Sequence, residues 1–361
     1  MKMFNTTVVC IPERHYMVDI SSKINQIIER YINYNRYFVI NRARQYGKTT
    51  TLYMLERTLA SKYYVLSIGF AGKPSLFASE KAFVQGFIEK LKMAMKFAKV
   101  PANLINEFKV DEDSINPLQD LDNQITKFCM SSDREVILMI DEIDEATNND
   151  IVIYFLAMLR DKYINWSVGK DCTFKNVILA GVYDVKNLKR RIRPDEEHRY
   201  NSPWNVAVNF DIDLSFSVSD IERMISEYKS DYGLDFDVHW FSEQIYAYTS
   251  GYPFLVSRIC ELLDTSVTFN KEFGSRSVAW TKEGFLQAIR ELLSERNTLF
   301  DDLVKKLDEN TGLKNLIYAI IVEGKTVPFN QMDNLIEMGL MFGWFKEKII
   351  IQFFRIVFSK L

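Results

Sequence analysis

The chain has little of what marks several common protein classes. Its 361 residues include four cysteines, Cys10, Cys129, Cys172 and Cys260, scattered and without a CxxC pair. A chain of this size needs no disulfide staples, so they read as reduced thiols. The three histidines, His15, His198 and His239, lie too far apart for a local metal motif, and no zinc is expected. No apolar run approaches the ~20 residues that span a bilayer, and residues 1–10 lack the charged start and apolar stretch of an export signal. A cytoplasmic chain without membrane segments is therefore expected. Charge of one sign is lacking too. With 45 basic and 48 acidic residues the net charge is −3, which excludes a surface that is basic throughout while leaving room for a local basic patch.

What is present is apolar sequence in quantity, 47% of the chain, enough for a substantial core, and a length that implies two or three domains. Ile20, Ile24, Ile27, Ile28 and Ile32 recur at helical spacing over residues 19–35. Tyr37, Phe38, Val39 and Ile40 then form a short apolar strand, residues 42–48 a loop, and residues 49–59 a helix. A second strand at 64–68 precedes a helix over 81–97. A polar loop at 110–119 leads to a helix around 121–130 and a buried strand at 136–140, and a helix over 151–163 leads to a fourth apolar run at 177–180. Strands alternating with helices imply a parallel sheet covered on both faces. Residues 185–205 form a basic loop with Lys186, Lys189, Arg190, Arg191, Arg193 and Arg199.

From Ser219 the patterns turn helical. Ser219 and Glu222 have capping-box spacing before a helix to Tyr228, and helices fit 240–248, 254–266 and 281–295. Helices at 313–322 and 331–338, followed by apolar runs at 340–345 and 349–354, read as a winged helix. The expected division is a core over 1–212, a helical lid over 213–295 and a winged-helix-like domain over 296–361.

Two motifs carry chemistry. A Walker A loop reads GxxxxGK[ST], and residues 42–49 match it at every functional position except the first glycine, which is Arg42. Gly47 lets backbone N–H groups approach phosphates, Lys48 neutralises β and γ oxygens, and Thr49 can ligate magnesium. A chance GKT tripeptide is the alternative, but this one follows an apolar strand and opens a helix. The strand at 136–140 ends in Asp141 and Glu142, where open α/β sheets bind ligands. Asp141 is placed to hold magnesium through water, and Glu142 to activate the water that attacks the γ-phosphate. Asp144 and Glu145 read as caps of the next helix. The two motifs, in this order and about ninety residues apart, form the layout of P-loop ATPases with a catalytic glutamate. A polar sensor is expected after the fourth strand, yet Gly181, Val182, Tyr183 and Asp184 include no Asn or Thr, which argues against fast turnover. An arginine finger could come from Arg190, Arg191, Arg193 or Arg199, in cis or from a neighbouring subunit, with a solvated basic loop or a surface for an acidic partner an equal alternative for any one of them.

The runs NRARQYGKTT, VILMIDEID, ILAGVYDVKNLKRRIRPDEE, NSPWNVA and TSGYPFLVSRIC resemble the bacterial AAA-like ATPase family, whose members often carry RPRRFGKT-type loops. The resemblance covers most of residues 10–270. It implies a P-loop NTPase three-layer α/β sandwich with a parallel sheet, a helical lid and a C-terminal winged-helix-like domain, with ATP and Mg2+ as cofactors. It also implies that a replaced first glycine is ordinary. Arg44, Gln45, Tyr46 and Thr50 join the phosphate loop. Gly251, Tyr252 and Pro253 resemble the GxP lid motif, which places Gly251 and Pro253 near the adenine. His15, Tyr16 and Val18 are further adenine candidates, with core packing the equal alternative for Tyr16 and Val18. Some relatives end in a nuclease domain. This chain stops at Leu361, just after the winged segment, and no nuclease is expected.

Two functions stay open. One is a Mg-dependent ATPase acting as a nucleotide-driven switch, with a second copy or another protein as partner. The other is a nucleotide-stabilised DNA- or protein-binding module with little or no hydrolysis. The helix at 331–338 contains Asp333 and Glu337 and no Lys or Arg, and the wing supplies only Lys346 and Lys348. A protein contact or an intramolecular regulatory role is thus at least as well supported as DNA.

Overall fold

The computed structural model describes residues 2–70, 74–111, 114–143, 149–182, 204–295, 298–328, 333–346 and 349–350. Two compact units form, one from Lys23–Arg42 and Thr51–Ile212, the other from Met1–Ser22, Ala43–Thr50 and Asp213–Leu361.

The first unit holds a four-stranded parallel sheet. Its strands are β1 (Phe38–Asn41), β2 (Tyr64–Gly69), β3 (Val136–Asp141) and β4 (Asn176–Gly181), in the order β1-β4-β3-β2. Each strand is a short run rich in Val, Ile and Leu, and both faces are buried, as expected when helices connect parallel strands. Side chains of one parity, Val39, Leu66, Leu138, Ile140, Val177 and Leu179, share a core with Phe83, Phe87, Leu121, Ile125, Phe155 and Leu156. These come from the helices α3 (Glu80–Phe97), α5 (Pro117–Ser131) and α6 (Asp150–Ser167). On the opposite parity Phe38 packs against Tyr31 and Phe210, with ring centroids 4.7 and 5.7 Å away. Ahead of β1, α1 (Ser21–Ile27) continues into a π turn, Ile28–Ile32. After β1 comes α2 (Lys48–Leu59).

Local chemistry sets the helix starts. Ser79 accepts from the N–H of Ala82 at the start of α3, and Asn149 accepts from that of Ile151 at the start of α6. Pro117 stands in the first turn of α5, where its missing N–H costs nothing, so this helix starts before the expected 121. The short helix α4 (Ala102–Glu107) was not expected.

The second unit is mainly helical: α7 (Val218–Tyr232), α8 (Val238–Thr249), α9 (Pro253–Leu262), α10 (Arg276–Ala279), α11 (Lys282–Ser294), α12 (Thr298–Glu309), α13 (Thr311–Ile321) and α14 (Asn334–Met341). The capping box of α7 is Ser217 with Asp220, not the expected Ser219 with Glu222. Both pairs have the right spacing, but Ser217 has the extended backbone of a cap (φ −81°, ψ 166°), and the Ser219 hydroxyl pairs with that of Ser217. Helix α12 went unforeseen although Leu299, Leu303 and Leu307 bury one face at a spacing of four. Residues 340 and 341 belong to α14, capped by Asp333, rather than to a strand. The strands after it are only β5 (Phe345–Lys346) and β6 (Ile349–Ile350), which pair antiparallel, and residues 351–354 lie outside the described part. Among the described residues no helix is long and apolar enough to cross a membrane.

Candidate functional site

The parallel sheet sends the carboxyl ends of all four strands to one edge. With β4 between β1 and β3, the ends of those two strands lie about 10 Å apart across the sheet. One end carries the GKT loop and the other carries the acids.

At the end of β1, Arg42 extends the pairing by one residue, its N–H donating to the carbonyl of Gly181 at 3.1 Å. Its guanidinium donates to the carbonyls of Asn41, Phe210 and Ile212 at 2.9, 3.3 and 3.0 Å, and lies 5.3 Å from the centroid of the Phe210 ring. The residue in place of the first glycine is thus a structural anchor. This role was not evident in the sequence, because two of the three acceptors are backbone carbonyls 168 and 170 residues away.

The loop then turns sharply. Gln45 and Gly47 both occupy left-handed backbone, at φ 55° and 81°. This is the kind of curvature that turns successive N–H groups toward one point. Lys48 opens α2, and its ammonium donates to the Ala43 carbonyl across the loop at 2.8 Å. Thr49 is exposed at the helix start, and the Thr50 hydroxyl accepts from the N–H of Cys10 at 3.2 Å. Arg44 is exposed, and Gln45 donates to the Thr298 hydroxyl at 3.4 Å.

The Gly-Tyr-Pro segment meets this loop directly. Gly251 has φ 76°, and a Cβ there would lie 1.9 Å from the Phe216 carbonyl oxygen, so only glycine fits. Pro253 occupies the first turn of α9, its ring about 3.9 Å from where a Cβ on Gly47 would stand. Tyr252 between them is buried. Its hydroxyl donates to the Arg44 carbonyl, and its ring meets Tyr46 edge-on at 4.7 Å. A Cβ on Gly343, just after α14, would be 3.2 Å from both the Ala43 side chain and the Tyr252 ring. Tyr252, Thr298 and Gly343 were not among the expected site residues. The first could have been found from its place between Gly251 and Pro253; the other two carry no signal in the sequence.

Of the expected base contacts, His15 is buried, and its Nδ1 accepts from the Ile11 N–H at 2.8 Å. Burial, with help from the Arg14 charge, pulls its pKa below the ordinary histidine value, favouring the neutral ring that accepts this bond. Tyr16 and Val18 are buried in the core. The Tyr16 ring packs on Phe4 and Tyr228, and its hydroxyl donates to Asp231 at 2.8 Å.

At the end of β3, Asp141 stands opposite Gly69 of β2 and is partly exposed. Glu142 follows in left-handed backbone (φ 54°) and is exposed, its N–H donating to Asp141 Oδ1 at 2.9 Å. This bond fixes the Asp141 carboxylate. Among the described residues no three side chains form a ready metal cluster. Magnesium takes one or two protein ligands and completes its shell with water and phosphate oxygens. Thr49, in one unit, and Asp141, in the other, each carry an oxygen of the kind that it takes. Asp144, Glu145, the Tyr183–Asp184 position and all four candidate finger arginines lie outside the described residues.

No family model matches the chain, and no curated protein matches it. Solved structures do. A Walker-type ATPase of Pyrococcus abyssi superimposes with a TM-score of 0.59 at 13% identity, covering 99% of both chains. The ORC2 protein of Aeropyrum pernix, determined with ADPNP and ADP, superimposes with a TM-score of 0.51 at 11% identity, covering 94% of this chain and 89% of that one. At these identities the likeness shows the fold alone, the α/β architecture that this chain shares with those two structures.

Proposed function

We propose that the protein binds ATP with Mg2+ and hydrolyses it as a nucleotide-driven switch. The observation that carries this reading is the strand–loop–helix unit at residues 38–59. Its Gly47, Lys48 and Thr49 stand at the start of α2, and an Asp–Glu pair ends a second strand at the same sheet edge. Gly47 and the first N–H groups of α2 receive the phosphates, helped by the positive end of the helix. Lys48 exchanges its backbone carbonyl partner for β and γ oxygens. Thr49 and Asp141 hold the cation, which when bound neutralises phosphate charge. Glu142, exposed beside Asp141, orients and deprotonates the attacking water. The lid motif shares a unit with the loop, so loading the loop is felt by the helices that carry Tyr252 and Pro253.

In the same proposal residues 1–212 are the ATPase core, 213–295 the lid and 296–361 a winged-helix-like partner module. A protein, including a second copy, suits that module better than DNA. Three of its lysines are closely matched by acids, Lys306 with Asp302 at 2.7 Å, Lys314 with Asp308 at 2.8 Å, and Lys325 with Glu323 at 2.6 Å, and Lys305 lies 3.9 Å from Glu309. A phosphate backbone is drawn to lysines whose charge is not already balanced.

Two variants test the core of the reading. Lys48→Ala is expected to weaken binding of a fluorescent ATP analogue by about 10- to 100-fold, the effect of a lost charged hydrogen bond. Glu142→Gln is expected to keep binding and stop phosphate release. If the unaltered protein releases no more phosphate than Glu142→Gln, hydrolysis is wrong, and a nucleotide-stabilised binding module is what remains.

A further inference from the structure

A phosphate loop without its first glycine must still present its N–H groups in one direction. Here a left-handed turn falls on Gln45, whose Cβ makes that conformation strained. An unbraced peptide group next to such a residue relaxes easily to another orientation, and a phosphate would then have to restore it at the expense of affinity.

The brace is Tyr252. Its hydroxyl donates to the carbonyl of Arg44, which belongs to the peptide group joining Arg44 to Gln45. In a planar trans peptide the C=O and N–H point in opposite directions, so fixing this carbonyl also fixes the Gln45 N–H. The same side chain touches the loop again one residue further on, through the edge-on contact with Tyr46, and Pro253 follows beside Gly47.

Tyr252 is itself held in place. Gly251 before it is locked against Phe216, whose N–H donates to the Gly251 carbonyl at 2.8 Å, and the Tyr252 N–H donates to Thr249 at 3.0 Å. Burial raises the phenol well above its ordinary pKa, so it remains a proton donor throughout the neutral range.

We infer that Tyr252 is a positioning residue for the phosphate loop: its hydroxyl sets the Arg44–Gln45 peptide so that the loop is shaped for the diphosphate portion of a nucleotide before any nucleotide arrives. This rests on the ATP-binding reading. It also gives the Gly-Tyr-Pro segment a task at the phosphates, beyond the place near the adenine that the family resemblance implies.

Tyr252→Phe removes the hydroxyl and leaves the packing, so the full-length variant is suited to the test. Two measurements are made: amide hydrogen exchange of the nucleotide-free protein, and binding of ADP. Exchange in peptides covering residues 42–50 is expected to rise about fivefold, and ADP affinity to fall by about the same factor, as for one lost neutral hydrogen bond. Peptides from β3 and α9 are expected to exchange as before. Unchanged loop exchange, or a rise shared equally by all peptides, would overturn the inference. So would faster loop exchange with unaltered ADP affinity, because Tyr252 would then be a structural tie alone. Lys48→Ala, measured alongside, separates the two levels. Loss of ADP binding there with Tyr252→Phe unaffected discards the brace and keeps the nucleotide reading, whereas ADP binding by Lys48→Ala equal to that of the unaltered protein discards both.

Discussion

The two units bury their interiors in different ways. In the sheet unit the core is aliphatic and phenylalanine-rich, and a buried cation, Lys162, is satisfied by Asp122, Asp171 and Thr126 at 2.6, 2.9 and 2.6 Å. In the helical unit, aromatic rings carry hydroxyls tied to carboxylates: Tyr16 to Asp231, and Tyr228 to Asp264, which also accepts from Arg276 at 2.8 Å. The rings of Tyr16, Phe4, Tyr228, Trp280, Phe236 and Phe241 form a connected cluster around these bonds. Strands buried on both faces favour β-branched side chains without polar groups. Helices of mixed length instead meet at angles that large rings fill, and each hydroxyl they bring inside then needs an acceptor. The sheet unit also ties tyrosine hydroxyls to carboxylates, Tyr31 to Asp211 and Tyr64 to Asp133. The contrast therefore lies between its tightly filled aliphatic interior, which should respond to lost volume, and the aromatic cluster of the helical unit, which should respond to lost hydrogen bonds and to protons.

The largest effect is expected in the sheet. Leu138→Ala, at a fully buried position of β3, should cost about 3–5 kcal/mol in urea unfolding, the range for a leucine truncated in a core that relaxes little. A loss below about 1 kcal/mol would break the comparison, since this core would then not depend on volume. Next comes Asp264→Ala, which leaves a buried hydroxyl and the Arg276 guanidinium without their acceptor. A loss of about 2–3 kcal/mol is expected, against about 1 kcal/mol for Tyr228→Phe, which removes one donor and leaves Asp264 with Arg276. Equal losses for the two variants would mean that the cluster is held by ring packing alone.

The smallest effect concerns pH. His15 has a folded-state pKa depressed from the ordinary 6.5, so as pH falls the unfolded chain takes up a proton first. Its contribution is complete above the unfolded value and is lost as pH falls through the folded one, where protonation of Nδ1 ends its acceptance from Ile11. The difference in melting temperature between the unaltered protein and His15→Gln should therefore shrink or reverse between pH 7.5 and pH 5. A difference independent of pH would remove the histidine from the account.

Much of the sheet unit was legible in the sequence because its signals are local. The runs at Phe38–Ile40 and Val136–Ile140 are strands, and the loop between β1 and α2 falls where the GKT tripeptide placed it. The helical unit was less legible. Two capping pairs with equal spacing competed at Ser217 and Ser219, and backbone geometry chose between them. The run from Leu340 was read as strand, yet Asp333 capped a helix that runs on to Met341 before Gly343, at φ 80°, turns the chain. Amphipathic spacing marked α12 at Leu299, Leu303 and Leu307, and the signal went unread between two stronger ones.

By itself the sequence determined the chemistry available: a glycine, a lysine and a threonine at a helix start, and an aspartate and a glutamate at a strand end. These follow from residue type and short spacing, which depend on nearest neighbours along the chain. Tertiary structure alone decided how the GKT loop, which lacks the motif's first glycine, is held. Arg42 reaches carbonyls at Phe210 and Ile212, and Tyr252 reaches the carbonyl of Arg44. A hydrogen bond to a backbone carbonyl leaves no mark on the residue that accepts it, because every residue has one. Such partners come into view only once the chain has folded.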